Sequence, residues 1–207
     1  NATFASRSAE AGNIGFSSQS RALGLALLEA AVTRGLGLSA FVSIGNKADI
    51  SEVDLLTALG DDPQTKVIVG YLESIATGDA FMEAAEEAAS KKPVILMKSG
   101  TTQAGQRAAS SHTGVLAGTE IAFGAAFHRS GVIRAEVFEQ ILDFATALSM
   151  QPLPRGDRLL IITNAGGPGT MAADAADKAG LQVAALGRNT AAALRSRSLL
   201  GLAGHEH

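Results

Sequence analysis

The sequence predicts an α/β chain built on a doubly wound parallel sheet, with the beginning of a second domain of the same construction behind it. Three observations carry that expectation. Short apolar runs of strand length recur between residues 13 and 135, segments with helical spacing of apolar residues separate them, and after a proline-containing linker the same pattern starts again.

The runs NIGFS (13–17), LSAFVSI (38–44), KVIVGYL (66–72), PVILMKS (93–99) and GVIRA (131–135) are apolar enough to be strands covered on both faces. Between the first two, RALGLALLEAAVTRG (21–35) sets its apolar residues on one helical stripe and closes near Gly35, which suits a left-handed cap. GDAFMEAAEEAASKK (78–92) follows the same logic and stops at Pro93. Parallel strands need crossover connections, so helices are expected on both faces, with the first domain ending near Met150. QPLPRGDR (151–158) reads as a linker. The strand RLLIIT, the Gly-rich turn NAGGPG, the helix TMAADAADKAG and the strand LQVAAL then open a second domain over 151–207, too short to close another such sheet and therefore expected to be truncated. The opening NATFASRSAEAG reads as a linker from something upstream, and the tail SLLGLAGHEH carries no clear pattern.

Composition narrows the function. A net charge of −3, with no basic run interleaved with aromatics, offers nothing to neutralise a row of phosphates, so nucleic acid is not an expected partner. The absence of cysteine removes disulfides, thiolate nucleophiles and zinc knuckles and agrees with a reducing compartment. No apolar run approaches the roughly 20 residues of a membrane span, and the expected location is the cytoplasm.

Two turns each follow an apolar strand and open a helix: FSSQSRALG (16–24), with Ser18, Gln19, Ser20 and Arg21, and TNAGGPGT (163–170), with Asn164, Ala165, Gly166, Gly167 and Gly169. A helix start presents unpaired N–H groups and the positive end of the dipole, which suits an anion such as phosphate. The same residues also fit a purely structural role, Ser18 and Ser20 as N-caps and the glycines as a tight turn. Neither stretch is a P-loop.

In AASSHTGVLAG (108–118), His112 stands among small residues, with no cysteine, carboxylate or second histidine beside it. That is a poor metal site but fits a nucleophile or general base, provided a carboxylate elsewhere fixes its tautomer; a loop histidine without a role is the competing reading. The candidate carboxylate is Glu73, directly after the apolar run KVIVGYL, at the sheet edge where doubly wound folds place ligands. His128 falls near the C-terminus of the helix AFGAAFHRSG, where a cation suits the dipole, and His205 and His207 lie in the tail.

The blocks SSQSRALGLALLEAAVTRGLGLSAFVSIGNKADI, YLESI, KPVILMKSGTTQAGQRAASSHTGVLAG, AAFHRSGVIR and TNAGGPGTMAADAADKAGL resemble, in order and over nearly the whole chain, the nucleoside-diphosphate-forming acyl-CoA synthetases, relatives of succinyl-CoA synthetase. The resemblance implies a flavodoxin-like, succinyl-CoA synthetase-like fold. It implies that ATP, a carboxylic acid and CoA are interconverted with ADP, phosphate and an acyl-CoA through an acyl phosphate, with the phosphoryl group carried on the histidine of the SHTG block, here His112. The acid of the YLEG-type block, here Glu73, would bond the ring, and the two strand-to-helix turns would correspond to the family's paired power helices, whose N-termini bind the phosphoryl group. Imidazole suits this relay, because the N–P bond keeps enough transfer potential to pass the group either way, and helix N-termini stabilise the charge without a metal at this station.

The same resemblance implies CoA, ATP or ADP and Mg2+ bound largely outside this segment, by a CoA-binding domain upstream and an ATP-grasp module on the same or another chain, in an oligomeric assembly. By itself the segment would then not make acyl-CoA. Two positions depart from the family pattern: Arg21 replaces the glycine of SQSG, and Ser74 replaces that of YLEG. A reading of another class is a regulatory module like the synthetase-like region fused to protein lysine acetyltransferases, which senses acyl-CoA or nucleotide without turnover; the presence of both His112 and Glu73 argues against it.

Overall fold

The computed structural model describes residues 9–107 and 120–196. His112 therefore lies outside the described residues, as do His205 and His207. The chain divides into two compact units, 1–152 and 153–207.

The first unit carries a five-stranded parallel sheet in the order β2-β1-β3-β4-β5, formed by β1 (Ala11–Ser18), β2 (Leu38–Ser43), β3 (Val67–Leu72), β4 (Val94–Lys98) and β5 (Ile133–Arg134). All five expected runs are strands. The helices α1 (Arg21–Thr33), α2 (Glu52–Asp61), α3 (Gly78–Lys91), α4 (Glu120–Arg129) and α5 (Phe138–Met150) follow the five strands in turn. Strand order reverses between β1 and β3, so the crevice beyond their carboxyl ends is the topological switch point at which doubly wound sheets bind ligands.

Alternation along each strand divides the core into two layers. Ile14 and Phe16 of β1, Val67 and Val69 of β3 and Ile95 of β4 face Leu27 and Ala31 of α1 and Ile141, Leu142 and Ala145 of α5. Ile68 and Leu72 of β3 and Val94 and Leu96 of β4 face Leu56 and Leu59 of α2, Phe81 and Ala85 of α3 and Phe127 of α4. Strands packed on both faces are apolar at every position, which is why β3 reads VIVGYL, all of it buried. Gly70 breaks that run for a steric reason. A Cβ there would stand 2.6 Å from Leu96 Cδ2 and 3.2 Å from Ser17 Oγ, so the missing side chain is space that Leu96 fills. Gly70→Val should overpack this layer and lower stability by about 1–3 kcal/mol, read as a lower urea midpoint at unchanged slope.

Helix ends follow local chemistry. Ser20 caps α1, its hydroxyl accepting from the Leu23 N–H, and after the helix Gly35 takes φ +68°, the left-handed conformation expected of it. Ser51 and Asp54 cap α2 reciprocally as a capping box, an S-x-x-D signal in the sequence. His128 lies in the last turn of α4 and is exposed.

The second unit, taken by itself, contains β6 (Arg158–Leu159) parallel to β7 (Gln182–Val183), with α6 (Gly166–Lys178) between them and α7 (Arg188–Ser196) after them. Its strands are shorter than the expected runs RLLIIT and LQVAAL. Leu160 and Ile162, 45% and 67% exposed, lie beyond the paired residues. The helix, in turn, starts four residues before the expected TMAADAADKAG, so Gly166, Gly167 and Gly169 form its first turn, with Ala165 as N-cap. The Ala165 N–H donates to Thr163 Oγ1 at 3.1 Å.

Candidate active site

At the switch point, β1 ends in Ser17 and Ser18, both buried, and the buried Gln19 leads into α1. The Ser18 hydroxyl donates to the Ser20 carbonyl at 2.7 Å and accepts from the Ser20 N–H at 3.1 Å, folding the strand end back before the helix begins. The Gln19 N–H is used by the Tyr71 carbonyl at 3.0 Å. What this helix start leaves toward solvent are its first amides, at Arg21 and Ala22, which have no carbonyl one turn earlier to accept them. Arg21 is the first helical residue and is exposed. This edge therefore offers an anion two backbone donors, the positive end of the dipole and an exposed guanidinium side chain on one turn.

Facing that helix start, the chain leaves β3 through Glu73, Ser74, Ile75 and Ala76, a turn held by side chains from three other segments. The Gln19 side-chain amide brackets it as a neighbouring strand would. Its Oε1 accepts from the Glu73 N–H at 2.7 Å and the Ser74 N–H at 2.9 Å, and its Nε2 donates to the Ser74 carbonyl at 2.9 Å and to Glu52 Oε2 at 3.3 Å. Glu52, 3% exposed at the first position of α2, also accepts from the Ala76 N–H at 3.0 Å and pairs with Lys47 at 3.0 Å. Lys47 donates in addition to the Ser74 carbonyl at 3.0 Å. To reach it the β2–α2 loop turns through Gly45 at φ +51° and Lys47 itself at φ +57°, a conformation that costs a non-glycine residue free energy and persists where the surroundings fix it. On the far side Lys98, the last residue of β4, donates to the Glu73 carbonyl at 2.9 Å. Glu73 itself is half-buried, its backbone fixed at both polar groups.

Burial pulls the Lys98 ammonium down to about 8; the Glu73 charge pushes it back up and the Lys47 charge pulls it further down. The Tyr71 phenol, raised by burial, donates to Ser99 Oγ at 2.9 Å. Two cations thus lie about the Glu73 turn, and one buried carboxylate, Glu52, answers one of them. Removing one member of a buried ion pair leaves the other charge unmatched. Glu52→Ala should therefore destabilise the first unit by about 3–5 kcal/mol, and Glu52→Gln, which keeps the hydrogen-bonding shape, by less. Thermal unfolding of the two variants side by side measures the difference.

Of the residues singled out by sequence, Ser18, Gln19, Ser20, Arg21 and Glu73 are brought together on this edge. Gln19 spends its side chain on the Glu73 turn. Asn164, Ala165, Gly166, Gly167 and Gly169 form the start of α6 in the second unit, where a Cβ at Gly166 or Gly167 would meet open space. Glu52, Lys47 and Lys98 were not anticipated as site residues, although a lysine closing an apolar run, as in VILMK, is the kind of buried charge that calls for a reason. Among the described residues no group of three His, Cys, Asp or Glu offers a metal site. No helix among them is long and apolar enough to cross a membrane.

A parallel sheet of this order, with the Glu73 turn clamped at its switch point beside a serine-capped helix start, defines a flavodoxin-like domain. The chain belongs to the succinyl-CoA ligase like flavodoxin domain family, whose model matches residues 11–148. It is 48% identical over 183 residues to the acetate–CoA ligase [ADP-forming] I subunit alpha of Pyrococcus furiosus, covering 88% of this chain and 40% of that protein. It is 44% identical over 186 residues to the 4-hydroxybutyrate–CoA ligase [ADP-forming] of Nitrosopumilus maritimus, covering 89% and 27%. Among solved structures, the dinucleotide forming acetyl-coenzyme A synthetase 1 of Ca. Korarchaeum cryptofilum in complex with phosphate and ADP superposes with a TM-score of 0.90 at 39% identity, over 99% of this chain and 44% of that one. The chain thus spans less than half the length of these relatives.

Proposed function

We propose that this chain is the phosphohistidine-bearing part of an ADP-forming acid–CoA ligase, in which His112 carries the phosphoryl group and Glu73 orients it. The observation that carries the reading is the clamped turn: both polar groups of the Glu73 backbone are bonded, so its carboxylate leaves a fixed point of the switch-point edge. The naming of similar proteins as ADP-forming ligases supports the same class of reaction.

In the forward direction a ring nitrogen of His112 attacks the γ-phosphorus of ATP. The N–P bond forms, the P–O bond to ADP breaks, and ADP leaves with the bonding electron pair. The second ring nitrogen keeps its proton, which Glu73 accepts in a hydrogen bond, so the carboxylate both selects the tautomer and balances the cationic ring. In the next step a carboxylate oxygen attacks phosphorus, the N–P bond breaks and an acyl phosphate forms. CoA thiolate attack on its carbonyl then gives the acyl-CoA and releases phosphate. The α1 start supplies its dipole, the first amides at Arg21 and Ala22 and the Arg21 guanidinium to the phosphoryl oxygens at one station, with Ser18, Gln19 and Ser20 shaping the turn that presents them, and the α6 start, Asn164, Ala165, Gly166, Gly167 and Gly169, is the corresponding helix of the second unit. CoA, the nucleotide with its Mg2+, and the ATP-grasp module belong to the rest of the enzyme, where the metal would screen the nucleotide phosphates.

The test is to incubate the full-length enzyme with γ-labelled ATP and follow phosphate that is stable to base and released by acid. The expected result is label on the peptide containing His112, discharged by ADP and by a carboxylic acid. Label that resists acid would overturn the reading.

A further inference from the structure

Lys98 has an ammonium enclosed by the protein. The residue is 6% exposed, and its Nζ donates to the Glu73 and Ser99 carbonyls and stands 4.6 Å from the centre of the Phe123 ring. Both hydrogen-bond acceptors are backbone carbonyls. Desolvating an ammonium is costly, and carbonyl dipoles and an aromatic face offset that cost only in part. A methionine at this position would fill a similar volume without it. What the ammonium does, and an apolar side chain cannot, is tie the peptide of Glu73, at the exit of β3, to the peptide of Ser99, at the exit of β4.

Those two exits matter to each other under the proposed phosphoryl relay. The carboxylate that orients the imidazole leaves from the first, and the chain that runs on to His112 leaves from the second. The Ser99 N–H is also bonded across to the Leu72 carbonyl at 3.0 Å, so the lysine completes a cross-tie between adjacent strand ends.

Resting on that relay, we propose that Lys98 is a positioning residue for phosphoryl transfer, holding the Glu73 turn and the start of the histidine-bearing segment in one fixed relation. It touches neither substrate nor phosphorus and acts through Glu73. The charged and titratable groups about it are Glu73 on the β3 turn, Lys47 from the β2–α2 loop with its partner Glu52, Glu120 from α4, and Tyr71 through Ser99. Burial brings the loss of the Lys98 proton down to about 8, so the tie is charged at neutral pH and becomes a weaker, neutral amine donor above that value.

The test measures the rate of acid-labile phosphate formation from γ-labelled ATP in the full-length enzyme between about pH 6 and pH 10, for the wild type, Lys98→Met and Lys98→Arg, with His112→Ala and Glu73→Gln in parallel. The wild type should lose rate as pH rises through about 8. Lys98→Met should be slowed at least tenfold at neutral pH with that alkaline limb gone, and Lys98→Arg, which keeps its proton, should retain more rate than Met and hold it to higher pH. A group that only supported folding would shift thermal stability without reshaping the profile. If His112→Ala is silent and Glu73→Gln is slow while Lys98→Met keeps the wild-type rate and profile, the lysine has no positioning role and the relay stands. If His112→Ala still takes up acid-labile phosphate, the relay fails and this inference with it. Should Lys98→Met not fold, Lys98→Arg decides: an alkaline limb unchanged from wild type overturns the proposal.

Discussion

Replacing His112 by alanine in the full-length enzyme is expected to abolish acid-labile phosphate on this chain and, with it, ATP-dependent formation of acyl-CoA. The expectation follows from what the neighbouring sequence withholds. No cysteine exists in the chain, and AASSHTGVLAG contains no second imidazole and no carboxylate that could carry phosphate in its place. Serine and threonine esters survive acid, so an adjacent hydroxyl taking over the reaction would leave a chemically different product. The loss should be complete rather than graded, since without the nucleophile the two-step route has no intermediate. Steady-state kinetics, intact mass and acid treatment together check it, with circular dichroism confirming that the fold is kept.

Glu73→Gln should reduce phosphoryl transfer about ten- to a hundredfold, because charge-assisted hydrogen bonds contribute about 1.5–3 kcal/mol and each 1.4 kcal/mol is a factor of ten in rate. The substitution keeps the volume and the backbone bonds to Gln19 and Lys98, so the turn stays in place and the change isolates the charge. A glutamine can still accept through its carbonyl, which leaves part of the orientation. It cannot balance a cationic ring. The effect should therefore fall on the single-turnover rate of phosphorylation more than on nucleotide KM, and a variant with unchanged rate would remove Glu73 from the mechanism.

How far the sequence speaks for the structure differs from element to element. The five strands of the first unit were legible because burial on both faces makes a parallel strand apolar at every position, and KVIVGYL has no other comfortable fate. Gly35 and Pro93 marked helix ends through backbone geometry alone. The α2 helix is absent from the sequence reading, although Ser51 and Asp54 announce its start and Leu55, Leu56 and Leu59 lie on one helical stripe. In the second unit the apolar runs promised longer strands than the two paired residues of β6 and of β7, since a run records what a strand could bury and not how many partners it has.

The candidate site is legible in the sequence only where one residue carries its own signal. Glu73 follows a buried strand directly, and a serine before a helix is a cap by position. By adjacency Gln19 reads as part of the candidate anion-binding turn, yet its side chain serves the Glu73 turn some 54 residues away. Lys47, Glu52 and Lys98 are separated from their partners in that turn by 24–27 residues, and no local pattern marks such meetings. They become readable once strand order is known, because β2, β1, β3 and β4 stand in that order in one parallel sheet and the loops at their carboxyl ends must share one edge.

If the proposed relay holds, the clamp on the Glu73 turn also ties activity to the folding transition. Its bonds join segments that are remote in sequence and close only when the sheet has assembled in its final order, so no local fragment can contain the arrangement. A partly opened unit, with even one of α2, β4 or the β1 exit detached, has lost at least one of the ties even where the rest of the core stays closed. Under the proposed relay, competence for chemistry would be a stricter criterion than compactness: the carboxylate would be aimed only in molecules that have folded through to the end, and the population able to react would be the one whose long-range order is complete.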